Sequence, residues 1–148
     1  MRIVEATPDG QVLERLAALS ADWEAENCCH GYHANNREDL LDKRVFLAMD
    51  GETVTGYLLG HQTHTERDSS IMPRGSACFE LDELYVRPEL RSQGIGKALY
   101  DCAEAAVKAD GMEFILLSTP SKNHRRILHF YIDELGMEFW SARLYKRL

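Results

Sequence analysis

No run in the chain approaches the roughly 18 apolar residues of a membrane-spanning helix. The opening residues, MRIVEATPDG, have no apolar stretch of the secretory kind. The sequence is therefore expected to be a soluble, cytoplasmic protein with no membrane partner. Positive charge is also short: 17 Lys and Arg face 24 Asp and Glu, a formal net charge of −7. That excludes a nucleic-acid binder relying on a cationic footprint. Four cysteines, Cys28, Cys29, Cys78 and Cys102, are too few for a disulfide scaffold at this length. Cys28–His33, CCHGYH, has no second ligand pair at zinc-finger spacing, so no metal is expected. Repeats, linkers and low-complexity segments are absent, and 148 residues suit one domain, 1–148.

What is present alternates between strand and helix patterns. Arg2–Ala6 reads as a strand, Thr7 as an N-cap and Pro8 as a first helical residue. Val12, Leu13, Leu16, Leu19 and Trp23 then recur at helical spacing to about Glu26. A short helix is expected over Arg37–Lys43. RVFLAMDGETVTGYLLG is a hairpin pattern with Asp50-Gly51 at its turn. Residues 63–76 read as a long polar loop. Cys78–Val86 is a strand stopped by Pro88. A helix follows from about Gly94 to Asp110, its apolar stripe carried by Ile95, Leu99, Cys102, Ala103, Ala106 and Val107. Glu113–Ser118 is an apolar strand, Lys122–Glu134 an amphipathic helix, and FWSARLYKRL supplies one or two terminal strands. The fold class is α/β, with a mixed central sheet of six or seven strands, about four helices and the order β-α-α-β-β-β-α-β-α-β.

The segment RSQGIGKALY, Arg91–Tyr100, leads glycines into a helix, and a helix start offers free N–H groups to an anion. A nucleotide-triphosphate loop, G-x-x-x-x-G-K-S/T, fails at Arg91 and at Ala98. A dinucleotide fingerprint, G-x-G-x-x-G, fails at Leu99. Arg91, Gly94 and Gly96 do match R/Q-x-x-G-x-G/A. With the surrounding LDELYVRPELRSQGIGKAL, the chain resembles the GNAT superfamily of N-acetyltransferases. NHRRILHFYIDELGMEF resembles that family's later block. It is longer by about one residue from Asn123 to Tyr131 and again to Gly136, with Met137 where Phe is usual. Residues 79–137 carry the resemblance, and the first half matches in element order only.

The resemblance implies a GNAT fold, acetyl-CoA as cosubstrate and no metal. The pyrophosphate would meet backbone of Ser92, Gln93, Gly94, Ile95, Gly96, Lys97 and Ala98, with charge from Arg91 and Lys97. A strand bulge would open an edge at Leu84, Tyr85 and Val86 for pantetheine, with Asn123 near the same arm. Acetyl transfer needs a neutral amine and a protonated leaving thiolate. Glu83 is the first candidate base, with Glu80 and Asp82 behind it; the same three carboxylates would also serve only to attract a cationic acceptor. Strand alternation puts Glu83 opposite the other two unless a bulge intervenes. Tyr131 is the candidate acid toward the coenzyme A thiolate. The expected reaction is direct attack of a primary amine in a ternary complex, with a small cationic acceptor. A peptide or protein amine, an aminoglycoside, and a non-catalytic coenzyme A sensor are the alternatives. Residues 24–40 and 62–77 are expected to shape the acceptor pocket, and a homodimer is a common assembly in the family.

Overall fold

A computed structural model describes the whole chain, Met1–Leu148. Its elements are β1 (Arg2–Ala6), α1 (Gly10–Glu26), α2 (Arg37–Leu40), β2 (Arg44–Asp50), β3 (Thr53–His64), β4 (Ala77–Val86), α3 (Ile95–Ala109), β5 (Phe114–Leu116) and α4 (His124–Leu128). A 3-10 turn, Pro88–Leu90, precedes α3, and a π-helical turn, His129–Glu134, continues α4. The strands lie side by side in chain order; β1 to β4 are antiparallel, and β5 is parallel to β4. None of the helices is long and apolar enough to cross a membrane.

Both sheet faces are covered. On one, Leu13, Leu16 and Leu19 of α1 pack with Leu40, Val45, Leu47, Tyr57 and Tyr85. On the other, Leu99, Ala103 and Val107 of α3 pack with Phe46, Ala48, Leu58, Phe79 and Leu81. β2 thus sends Val45 and Leu47 one way and Phe46 and Ala48 the other, which is why its sequence is continuously apolar.

The sheet has five strands, not six or seven. The expected terminal strands are missing: residues 137–148 have no regular structure. Phe139, Trp140, Leu144, Tyr145 and Leu148 stand exposed there. Strand propensity reports fit to a half-buried pleated surface, and this segment meets none in the single chain. β5 is likewise only three half-buried residues of the apolar run Glu113–Ser118.

Three helix boundaries also move. Asp9 rather than Thr7 caps α1, its Oδ1 accepting from the Val12 N–H at 3.3 Å. α2 stops at Leu40, short of Lys43, because β2 begins at Arg44. The expected single helix Lys122–Glu134 becomes α4 plus a π turn, in which the Leu135 N–H donates to the Phe130 carbonyl five residues back. A π turn absorbs an added residue in a helix. That is the counterpart of the long spacing between Asn123 and Gly136.

β3 and β4 shift register between Leu59 and Gly60. Leu59 faces Glu83 and Gly60 faces Leu81, so Asp82 bulges out. Gly60 permits this: a Cβ there would run into the Glu80 carbonyl and come within 2.6 Å of the Phe79 ring. Gly60→Ala is expected to cost about 1–3 kcal/mol, read as a lower urea midpoint at unchanged slope.

Candidate active site

The bulge changes which carboxylates share a side. Asp82 Oδ2 meets Lys43 Nζ at 2.9 Å and His61 Nδ1 at 2.7 Å, while Glu83 turns to the same α1-side layer and bonds Tyr57. Glu80 stands between Phe79 and Leu81, which both pack on the α3 side, so strand alternation turns it to the α1 side as well. All three acids therefore line one face, which simple alternation forbids.

Glu83 is held from three directions. Asn35, in the α1–α2 connection, donates Nδ2–H to Oε1 at 2.5 Å. Tyr57 of β3 donates its hydroxyl to Oε2 at 2.7 Å, and Tyr32 reaches the same oxygen at 3.3 Å. Ser20 of α1 braces the set: its Oγ lies 2.6 Å from the Tyr32 hydroxyl and accepts from the Asn35 N–H at 2.8 Å. Glu83 is only 9% exposed. Burial pushes its carboxyl above the usual range, and Asp82 adds to this; the donors from Asn35, Tyr57 and Tyr32 pull the other way without cancelling it. Burial also raises Tyr57 and Tyr32, so both remain protonated donors.

Tyr57→Phe removes one donor from a buried carboxylate. The expected cost is about 1–3 kcal/mol of stability. Because that donor favours the ionised form, the Glu83 pKa is expected to rise further; proton NMR titration of the carboxyl in the two proteins measures this.

The glycine loop has its own geometry. Ser92 and Gly94 take left-handed backbone, φ 63° and 83°, and α3 begins at Ile95 with no side chain capping it. Its first N–H groups are thus left without a side-chain acceptor, at the positive end of a 15-residue helix. The two glycines differ in reason. Gly94 serves the positive φ, with open space where a Cβ would go. Gly96 serves close approach, since a Cβ there would lie 3.3 Å from the Phe130 ring.

β4 pairs with β5 only over Cys78–Glu80, so Leu84, Tyr85 and Val86 have β3 on one edge and no strand on the other. Arg91 does not point its charge at the loop. Its guanidinium bonds Glu26 at 2.8 Å and the Val86 carbonyl at 2.9 Å, and lies over the Tyr85 ring. Lys97 is drawn to Asp101 at 2.6 Å. Asn123 caps α4, accepting from the Arg126 N–H at 3.3 Å. Arg126, which no sequence motif marks, instead reaches the loop and donates to Ser92 Oγ at 2.9 Å.

Tyr131 sits in the π turn, 8% exposed and beside Phe130. Burial raises its hydroxyl pKa, with Tyr100 and Cys29 contributing, so it holds its proton. A cavity of about 750 Å³ opens elsewhere, lined by Glu5, Thr7, Asp42, Lys43, Arg44, His61 and Gln62 among others. It contains no residue of the glycine loop and borders the acidic face only through Lys43 and His61. No three His, Cys, Asp or Glu side chains are grouped to hold a metal ion.

Residues 13–137 match the model of the acetyltransferase (GNAT) family. The chain belongs to that family. Among curated proteins none matches the chain. Solved structures share the fold at low identity. A mutant protein of Bacillus halodurans is 23% identical with a TM-score of 0.77, covering 100% of this chain and 99% of that one. An aminoglycoside acetyltransferase from an uncultured soil metagenomic sample is 19% identical with a TM-score of 0.71, covering 99% and 95%. Aminoglycoside N-acetyltransferase AAC(6')-Iy, solved with CoA, is 19% identical with a TM-score of 0.68, covering 99% and 98%. This GNAT protein is therefore an acetyl-CoA-dependent N-acetyltransferase by family, with a five-stranded version of the fold.

Proposed function

We propose that this GNAT protein moves an acetyl group from acetyl-CoA to a primary amine of a small cationic acceptor, by direct attack in a ternary complex. The observation that carries the reading is Glu83, a buried carboxylate held by three side chains at the β4 bulge, on the strand whose open edge leads to the glycine loop. The loop suits a pyrophosphate: the helix start is uncapped, Gly94 is left-handed and Gly96 is close-packed, so the backbone N–H groups of the turn up to Lys97 have no side-chain cap, while the Ala98 N–H donates to the Gly94 carbonyl at 3.0 Å and borders the cradle. Acetyl-CoA supplies the activated acyl group.

The chain's residues then have these tasks. Main-chain groups of Leu84, Tyr85 and Val86 align the pantetheine arm along the open edge, and Asn123 borders it. Glu83 accepts the ammonium proton through water, and its raised pKa brings it nearer the working pH. Glu80 and Asp82, on the same face, attract the cation. Tyr131, kept protonated by burial, donates to the leaving thiolate. Tyr131→Phe is expected to lower kcat about 100-fold or more while KM for the amine stays put.

The acceptor class is tested by comparing kcat/KM for a linear polyamine, an aminoglycoside and a lysine peptide. The polyamine is expected to lead; a lead for the aminoglycoside would fit the two similar aminoglycoside enzymes instead. The proposal includes a single 1–148 domain in the cytoplasm and a homodimer. A second copy would cover the exposed apolar tail, whose Arg143, Lys146 and Arg147 complement a chain of net charge −7. Light scattering of the purified chain tests this assembly.

A further inference from the structure

Cys28 and Cys29 are neighbours whose thiols sit on the same side, Sγ to Sγ 4.0 Å, both free and half-buried. Their backbone is stapled to the β5–α4 connection. Lys122 N–H donates to the Cys28 carbonyl at 2.9 Å, His30 N–H donates to the Pro120 carbonyl at 2.9 Å, and Cys29 forms a β-bridge with Ser121. Lys122 Nζ also reaches Asn27 Oδ1 at 3.0 Å. Asn123, the cap of α4, is the next residue along.

We propose that Cys28–Cys29 is a dithiol modification site that closes to a vicinal disulfide by exchange with a low-molecular-weight disulfide, and so loosens the β5–α4 connection. The Cys28 thiolate attacks one sulfur of the small disulfide and expels one thiol. Cys29 then loses its proton and, as the thiolate, attacks the Cys28 sulfur of the mixed disulfide, breaking that bond and releasing the second small thiol. Two protein thiols are oxidised, and one small disulfide is reduced to two thiols. Cys29 is the resolving partner, because burial and then Cys28 push its thiol up to about 11 and keep it protonated.

The coupling to the backbone follows from geometry. Consecutive Cα atoms lie about 3.8 Å apart across a trans peptide. Ordinary disulfides span about 4.4–6.8 Å between Cα atoms. Closing the ring therefore deforms the Cys28–Cys29 peptide, whose Cys28 carbonyl accepts from Lys122 and which adjoins the His30 N–H that donates to Pro120. The same strain makes the bond easy to reduce, as suits a reversible device. The effect on catalysis rests on the acetyl-transfer reading above; the modification and the loosening do not.

The test incubates the whole protein with oxidised glutathione, then alkylates it in denaturant and maps the peptides by mass spectrometry. The four alkylatable thiols are expected to fall by the Cys28–Cys29 pair, with two hydrogens lost from the peptide that holds both. Dithiothreitol restores all four. Cys28→Ser is expected to form no internal disulfide, whereas Cys102→Ser behaves as wild type. Hydrogen exchange at the Lys122 and His30 amides is expected to speed up about tenfold or more on oxidation, as local opening allows. Retention of all four thiols, or a disulfide through Cys78 or Cys102, overturns the site. A Cys28–Cys29 disulfide with unchanged exchange overturns the loosening. Absence of acetyl transfer in the fully reduced protein would count against the proposed function alone.

Discussion

Gly96→Glu is expected to leave the fold standing and to remove acetyl-CoA binding. The backbone at Gly96 lies outside the positive-φ region that strains other residues, so the substitution is locally allowed. The new Cβ lies 3.3 Å from Phe130, which must give by a few tenths of an ångström. An acidic side chain in the first turn of α3 also complements the helix dipole, worth about 0.3–1 kcal/mol. The ligand-free protein should therefore melt near the wild-type temperature. The carboxylate, however, fills and repels the place where the N–H groups would take a phosphate. Affinity for coenzyme A is expected to fall at least about 100-fold, near 3 kcal/mol, and thermal stabilisation by acetyl-CoA to vanish. Gly96→Ala, without the charge, should bind at an intermediate level. Wild-type binding by Gly96→Glu would mean that the start of α3 is not the cradle.

Glu83→Gln is expected to lower kcat/KM for the amine by roughly 100-fold to 10,000-fold, the range for loss of a general base, with acetyl-CoA affinity unchanged. The pH dependence has a definite sign. The base acts when ionised, and burial raises its pKa above the ordinary carboxylate range. Wild-type kcat/KM should thus fall as pH drops through that raised value, and this limb should be missing from Glu83→Gln. Stability runs the opposite way. A raised folded pKa means that the folded protein prefers the protonated carboxyl, so this group's contribution weakens as pH rises from the unfolded value through the folded one. Glu83→Gln should flatten that part of the stability profile. A limb that persists in the variant would move the base to Asp82 or Glu80, which face the same side.

Much of this protein is legible residue by residue. The stripe Leu13, Leu16, Leu19 announces α1, Asp50-Gly51 the β2–β3 turn, and Gly94 and Gly96 the start of α3, because each depends on neighbours within a few positions. The candidate carboxylate is only half legible. Glu83 stands out as an acid in the right strand, but its side of the sheet depends on a bulge opposite Gly60. A glycine inside an apolar strand was the available signal. Its partners Tyr57, Asn35 and Tyr32 lie 26, 48 and 51 residues away, and no local pattern joins them. Arg91 shows a different limit. A cation beside a phosphate loop reads as a ligand, yet Glu26 and the Val86 carbonyl claim it. The tail is strand-like by composition, and composition cannot supply the neighbouring strand that a ladder needs.

The most direct test follows a reaction of the purified protein with acetyl-CoA and a polyamine, measuring free thiol and N-acetylated amine in the same samples. The expected result is amine-dependent release of one thiol for each acetylated amine, with no acetyl group left on the protein. Stabilisation by acetyl-CoA without thiol release for any amine, or an acetylated protein on the way to product, would contradict direct transfer from acetyl-CoA to the amine.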